Sequence, residues 1–279
     1  MSTESVPPQA APQPTPPSGS GHRTAPRVIA LLTAALGVAV VVGTVATAAV
    51  PTVAAAAARD EERSVAVGGV SAVKIDVDAV MLTVVFDDVS EASLDVREFT
   101  RGSWTFERNG STLRVATPRN SVLSWFGGGN GRATLTLPEE LAGVDTDVMV
   151  AGGSVDASGD FGDLGLTLAA GRVAVRGTAE TLTADVDAGR GEIDLSNVST
   201  AALSTEAGEL IARLGGTAPD AVTASVSAGS IELTLPDEVY DVTTGVSAGG
   251  VDNRLRTQAG SPRTVDVRVE MGNALLTAD

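Results

Sequence analysis

A glycine returns about every 20 residues along the second half of this chain, flanked by short runs in which apolar residues alternate with polar ones. Gly153, Gly171, Gly189, Gly208, Gly229, Gly249 and Gly272 follow one another at steps of 18, 18, 19, 21, 20 and 23 residues. Ala170, Ala188, Ala207, Ala228 and Ala248 stand directly before five of them, and Gly152 and Met271 take that place in looser copies. A sustained period of this length is the mark of a solenoid, because one repeat cannot bury its apolar face alone and must stack on its neighbours.

One repeat shows the local pattern. Val222, Ala224 and Val226 alternate before Gly229, and Ile231, Leu233 and Leu235 alternate after it, with Thr, Ser and Glu between. Period 2 describes a strand with one buried and one wet face. Leu164, Leu166 and Leu168 lead into Gly171 in the same way, and Val265, Val267 and Val269 lead into Gly272. The fold predicted is all-β: a β-solenoid of β-helix-like stacked coils. Glycine tolerates positive φ and close backbone approach, so each of these glycines is expected to turn a corner. The inward frame is expected to pass through the preceding Ala. Gly229 should need positive φ, with the coils at 208 and 249 beside it. Val80 stands where the first corner would want glycine, and a β-branched residue resists positive φ, so that corner should differ.

Aromatic residues make up only 3% of the chain, so the core must be built from Val, Leu, Ile and Ala. There is no cysteine, and the one histidine, His22, lies in an N-terminal stretch holding seven of the 13 prolines. Residues 1–27 cannot build a core and read as a disordered tail. Val28 to Val50 carries no charge. As a helix it would be about 34 Å long, enough for a hydrocarbon core of about 30 Å. It reads as a single transmembrane helix rather than a cleaved signal, because the apolar run is long and 27 residues precede it. Arg27 at its edge favours a cytoplasmic tail and an extracytoplasmic C-terminal domain. Residues 51–64 read as a linker and 65–279 as the β domain.

From Arg59 onward the chain holds 17 basic and 34 acidic residues, a net charge of −17. Such a domain repels nucleic acid, so no nucleic-acid partner is expected. Asn109-Gly110, between Trp104–Asn109 and Thr112–Val115, signals a hairpin. A loop over 119–132 follows, and Leu137-Pro138-Glu139-Glu140 and Leu235-Pro236-Asp237-Glu238 repeat one strand exit.

A single apolar span, an early hairpin, a strand ending in Leu-Pro-acid and then serial Ala-Gly turns together resemble the bacterial "putative adhesin" domain family. The resemblance covers about 65–279. It implies a membrane-anchored β-solenoid of the cell envelope, and it carries over no catalytic residue. The Val80 corner and the Trp125-Phe126 loop with its glycines depart from the plain repeat.

The domain has neither His nor Cys, which excludes Ser-His-Asp and Cys-His catalysis and the usual zinc sites. Paired acids remain: Asp76 and Asp78, Asp145 and Asp147, Asp185 and Asp187 each share one strand face. Such pairs suit calcium or glycoside chemistry, but alternating Asp is also what an exposed strand face looks like. No metal, cofactor or catalytic site is therefore assigned. Trp125 and Phe126 are the candidate partner contact. The reading is a non-enzymatic envelope protein touching other envelope proteins or cell-wall glycans. Two other classes stay open, a membrane sensor or regulator of envelope stress and a carbohydrate-active β-helix.

Overall fold

The computed structural model describes residues 59–99, 102–118 and 131–279. The tail, the Val28 to Val50 stretch, Trp125 and Phe126 lie outside the described residues. Among those described, no helix is long and apolar enough to cross a membrane. The chain divides into two units, Met1–Val50 and Pro51–Asp279, and every described residue belongs to the second.

This second unit is all-β. The strands are β1 (Arg59–Val65), β2 (Ala72–Val77), β3 (Val80–Asp87), β4 (Ala92–Phe99), β5 (Thr105–Asn109), β6 (Thr112–Ala116) and β7 (Arg132–Pro138). One 3-10 turn at Glu139–Leu141 precedes β8 (Asp145–Val150), β9 (Gly153–Asp160), β10 (Asp163–Leu168), β11 (Arg172–Thr178), β12 (Thr181–Val186) and β13 (Arg190–Ser196). The rest are β14 (Thr200–Thr205), β15 (Glu209–Gly215), β16 (Ala221–Val226), β17 (Ser230–Leu235), β18 (Val239–Asn253), β19 (Arg256–Thr257) and β20 (Thr264–Ala278). The first strand starts at Arg59, so residues 59–64, expected to be linker, are sheet.

The even-numbered strands from β8 to β16 pair in parallel with one another, and the odd-numbered strands from β9 to β17 do the same. Leu182 lies between Leu164 and Ala201, and Ala201 is followed by Val222. The ladder register therefore reproduces the spacing of the glycines. Each period of chain lays one strand in each ladder, forming one rung. The long strands β18 and β20 run through both ladders and join them.

The inward faces supply the core. Ile75, Val148, Leu166, Ala184, Leu203, Ala224 and Val267 form one row in the first ladder, all buried. Val84, Ala157, Val175, Ile193, Ala212, Leu233 and Leu276 form a row in the second, also buried. Each fully buried Val, Leu or Ile contributes roughly 1.5–3 kcal/mol over its exposed state.

At the corners the structure corrects three expectations. First, the inward set steps by five residues, Val226 to Ile231, and the corner Ala does not continue it. Ala188, Ala207 and Ala228 are exposed, and Met271 is 64% exposed. The corner is the convex edge of the rung, so its side chains point away from the core. Second, Gly153, Gly171, Gly189, Gly249 and Gly272 have positive φ, but Gly208 and Gly229 do not. What excludes a side chain at Gly229 is space: an added Cβ would lie 2.2 Å from the Gly208 carbonyl oxygen. That oxygen accepts the Ser230 N–H at 3.0 Å, as Gly189 O accepts Glu209 N–H at 2.9 Å. The ladder thus continues through the bend and draws successive glycines into one column.

Third, Gly229 stands between Gly208 and Gly272, not between Gly208 and Gly249. The chain lays β18 on the outside and returns as β20 between it and the β16–β17 rung. The other end is also out of sequence. The β2–β3 rung sits between β6–β7 and β8–β9. Antiparallel strands close that end: β4 on β7, β1 on β4, and β5 on β6. The β5–β6 hairpin forms as expected, with Gly110 (φ 62°) and Ser111 as its central residues, one position later than Asn109-Gly110 suggests. At the Val80 corner the left-handed residue is Ala79 (φ 54°), which leaves Val80 in the strand and buried.

Candidate functional site

The side chains that alternate outward from the first ladder decide what this surface can bind. Asp145 and Asp147 project from β8, Asp163 and Thr167 from β10, Thr183 and Asp185 from β12, and Lys74 and Asp76 from β2. In one register row, Lys74, Asp147 and Thr183 are joined by Gly165, which has no side chain to project. A Cβ there would lie 2.6 Å from Asp147 Oδ1. The gap makes Gly165 part of the lining of an open groove of about 900 Å³ across the outer face.

The groove mixes acceptors, hydroxyls and cations. Lys74 Nζ is 3.4 Å from Asp147 Oδ2, and both side chains are more than half exposed. Thr181 Oγ1 donates to Asp163 Oδ1 at 2.6 Å, and the Asp163 N–H donates to Asp145 Oδ1 at 3.2 Å. Arg114 of β6 also lines it. Such an array can hydrogen-bond a hydroxyl- or amine-bearing ligand. Among the described residues, no group of three or more His, Cys, Asp or Glu is placed to hold a metal ion.

The structure brings Asp76, Asp145, Asp147 and Asp185 from the sequence pairs into this groove. Asp78 and Asp187 do not line it; the Asp78 N–H donates to Thr117 Oγ1 at 2.9 Å. The corner glycines are a backbone column rather than a site. Trp125 and Phe126, the sequence-based contact, lie outside the described residues. Gly165, Lys74, Arg114 and Thr183 were not legible as site residues. The one local signal is Gly165 itself, a lone glycine inside the alternating run Leu164–Leu168, where a strand usually carries a side chain.

A second charged cluster on the other ladder is internally satisfied. Arg190 Nε donates to Glu192 Oε1 at 2.7 Å and its Nη1 to Glu209 Oε2 at 2.6 Å, and Arg172 Nη2 reaches Glu192 Oε2 at 2.5 Å. The Arg190 hydrogen bond holds the Glu192 carboxyl below its ordinary range.

Several solved structures are similar to this chain. A "putative cell adhesion protein" from Clostridium sporogenes is 12% identical, with a TM-score of 0.37, over 80% of this chain and 100% of its own. A "putative adhesin" from Bacteroides fragilis is 13% identical, with a TM-score of 0.42, over 79% and 97%. A third, from Parabacteroides merdae, is 11% identical, with a TM-score of 0.35, over 80% and 96%. The neighbours are bacterial "putative adhesins". No family model matches the sequence, and neither does any curated protein.

Proposed function

We propose that this chain is a non-enzymatic, membrane-anchored envelope protein whose β-solenoid holds a polar outer face against other surface components, as an adhesin does. In this reading Val28 to Val50 spans the membrane, the tail is cytoplasmic and the β region is extracytoplasmic. The two ladders, in register with the glycine period, support the solenoid. The observation that carries the function is the Gly165 groove, an exposed recess ringed by Asp, Thr, Lys and Arg. Its acceptors and hydroxyls suit the hydroxyls and amines of cell-wall glycans.

Two experiments test it. The chain has no cysteine, so single cysteines at Ser18 and Ser227 report topology in intact cells. Only the second should react with an impermeant reagent, and labelling of Ser18→Cys alone would reverse the orientation. Full-length protein in detergent should also co-sediment with purified cell-wall sacculi. Gly165→Leu, which fills the groove, should weaken that binding at least tenfold without lowering the thermal midpoint. Equal binding by both proteins would remove the groove from the function.

A further inference from the structure

The two ends of the stack are finished differently. At the β1 end the outer strands are antiparallel, β1 has an irregular register between Arg59 and Glu61, and its sequence is Arg-Asp-Glu-Glu-Arg-Ser-Val. Charge and bulging are the usual protection of a sheet edge. The β18 end has neither. Over Asp241–Asn253, β18 pairs with β20 on one side; among the described residues its other ladder partner is β19, at Val239 and Tyr240 alone. Between Asp241 and Asp252 lie ten uncharged residues. Val242, Thr244, Val246, Val251 and Asn253 continue the inward rows of Val265, Val267, Val269, Ala274 and Leu276. Those β20 residues are buried, whereas Val246 is 46% exposed and Thr244 and Asn253 are exposed.

We propose that the free edge of β18 pairs antiparallel with the same edge of a second copy of this chain, about a two-fold axis through the corner between Ser247 and Ala248. Three features select this occupant and register. The rung runs from Asp241, whose N–H bonds Arg263 O, to Arg254, whose N–H bonds Leu276 O, and its midpoint falls between Ser247 and Ala248. A two-fold there sets inward positions against inward positions, Val242 against Asn253 and Thr244 against Val251 of the second copy, so both inward rows continue across the joint, each pairing a Val of one copy with a polar residue of the other. It also sets Asp241 of each copy opposite Arg254 of the other; Arg254 bonds its own Asp252, Nη2 to Oδ2 at 2.5 Å, and at each end of the rung its guanidinium can bridge both carboxylates. Moving the register by one residue would put inward against outward positions. Moving it by two, to pair Asp241 with Asp252, would put like charges opposite each other. The first half of each β18 then extends the second ladder of the other copy. The charged β1 end offers no equivalent edge, so assembly stops at two. This pairing is independent of the adhesin reading.

Full-length chain in detergent micelles tests it by mass, using light scattering and native mass spectrometry. A dimer is expected. Thr243→Cys with Asp252→Cys should give a disulfide-linked dimer on mild oxidation, since these residues face each other across the joint, and Thr243→Cys alone should not. Val246→Lys should give a monomer with an unchanged β-sheet circular dichroism spectrum. Asp241→Arg and Arg254→Asp should each weaken association about tenfold, and together restore it to within about threefold. A monomer at all concentrations overturns the proposal. So does a dimer that survives Val246→Lys, or a charge swap without recovery.

Discussion

Gly68, Gly69 and Gly229 look alike in the sequence but are constrained by different physics. Gly68 has ordinary backbone angles and nothing within 4 Å of an added Cβ. Gly69 has φ +79° and equally open space. Gly229 is free of positive φ but crowded by the Gly208 oxygen at 2.2 Å. Chemical denaturation should therefore grade three alanine variants. Gly68→Ala should stay within about 0.5 kcal/mol. Gly69→Ala should cost about 1–2 kcal/mol, the strain of a left-handed alanine. Gly229→Ala should cost about 2–4 kcal/mol, because the clash is with backbone that cannot move without breaking the ladder. Equal losses at Gly69 and Gly229 would contradict this separation. Tyr240 carries a second prediction at this scale. It is fully buried, its hydroxyl donates to Pro236 O at 2.9 Å, and burial pushes its pKa from 10 to about 12. The fold favours the neutral phenol, so this contribution is complete below about pH 10 and is lost as pH rises towards 12. Tyr240→Phe should show a shallower fall in thermal midpoint between about pH 10 and 12 than the parent chain.

At the scale of the element, the β2–β3 corner departs from its repeats. Val80 is buried in the strand, and the left-handed conformation falls on Ala79. A left-handed alanine costs about 1–2 kcal/mol, while glycine loses about 0.5–1 kcal/mol more entropy on folding. Ala79→Gly should thus stabilise the chain by about 0.5–1 kcal/mol, read as a higher denaturation midpoint with unchanged slope. A destabilised variant would mean that the Ala79 side chain makes contacts worth more than the strain.

For the whole β region, the order of the last rungs sets which parts depend on which. Among the described residues, β18 has its long ladder only with β20, and β20 also completes the β16–β17 rung. Ending the chain at Arg263 removes β20 and strands β18. Hydrogen exchange should then show lost protection over 241–253 as well as weakened protection over 221–235, while 145–186 stays protected. Retained protection over 241–253 would mean that β18 can dock directly on β16–β17, the order that plain repetition would produce.

The period and most of the inward residues were legible in the sequence because they follow from short-range rules. Alternation puts Val222, Ala224 and Val226 on one face whatever the neighbours are, and a recurring glycine marks where each rung bends. The hairpin at Gly110 is legible for the same local reason. The corner alanines misled because period 2 counts residues along a straight strand and says nothing of which side of a bend is convex. Gly229 misled as to φ because a glycine kept for space and one kept for φ are the same letter. The groove depends on Gly165 falling between Asp147 and Thr183, residues 18 away on either side, and that is a matter of register between rungs rather than of spacing along one. Rung order lay furthest out of reach. Residues 254–263 are long enough for β20 to enter either side of β18, and only the packed stack, by matching β20 to the open face of β16–β17, decided which.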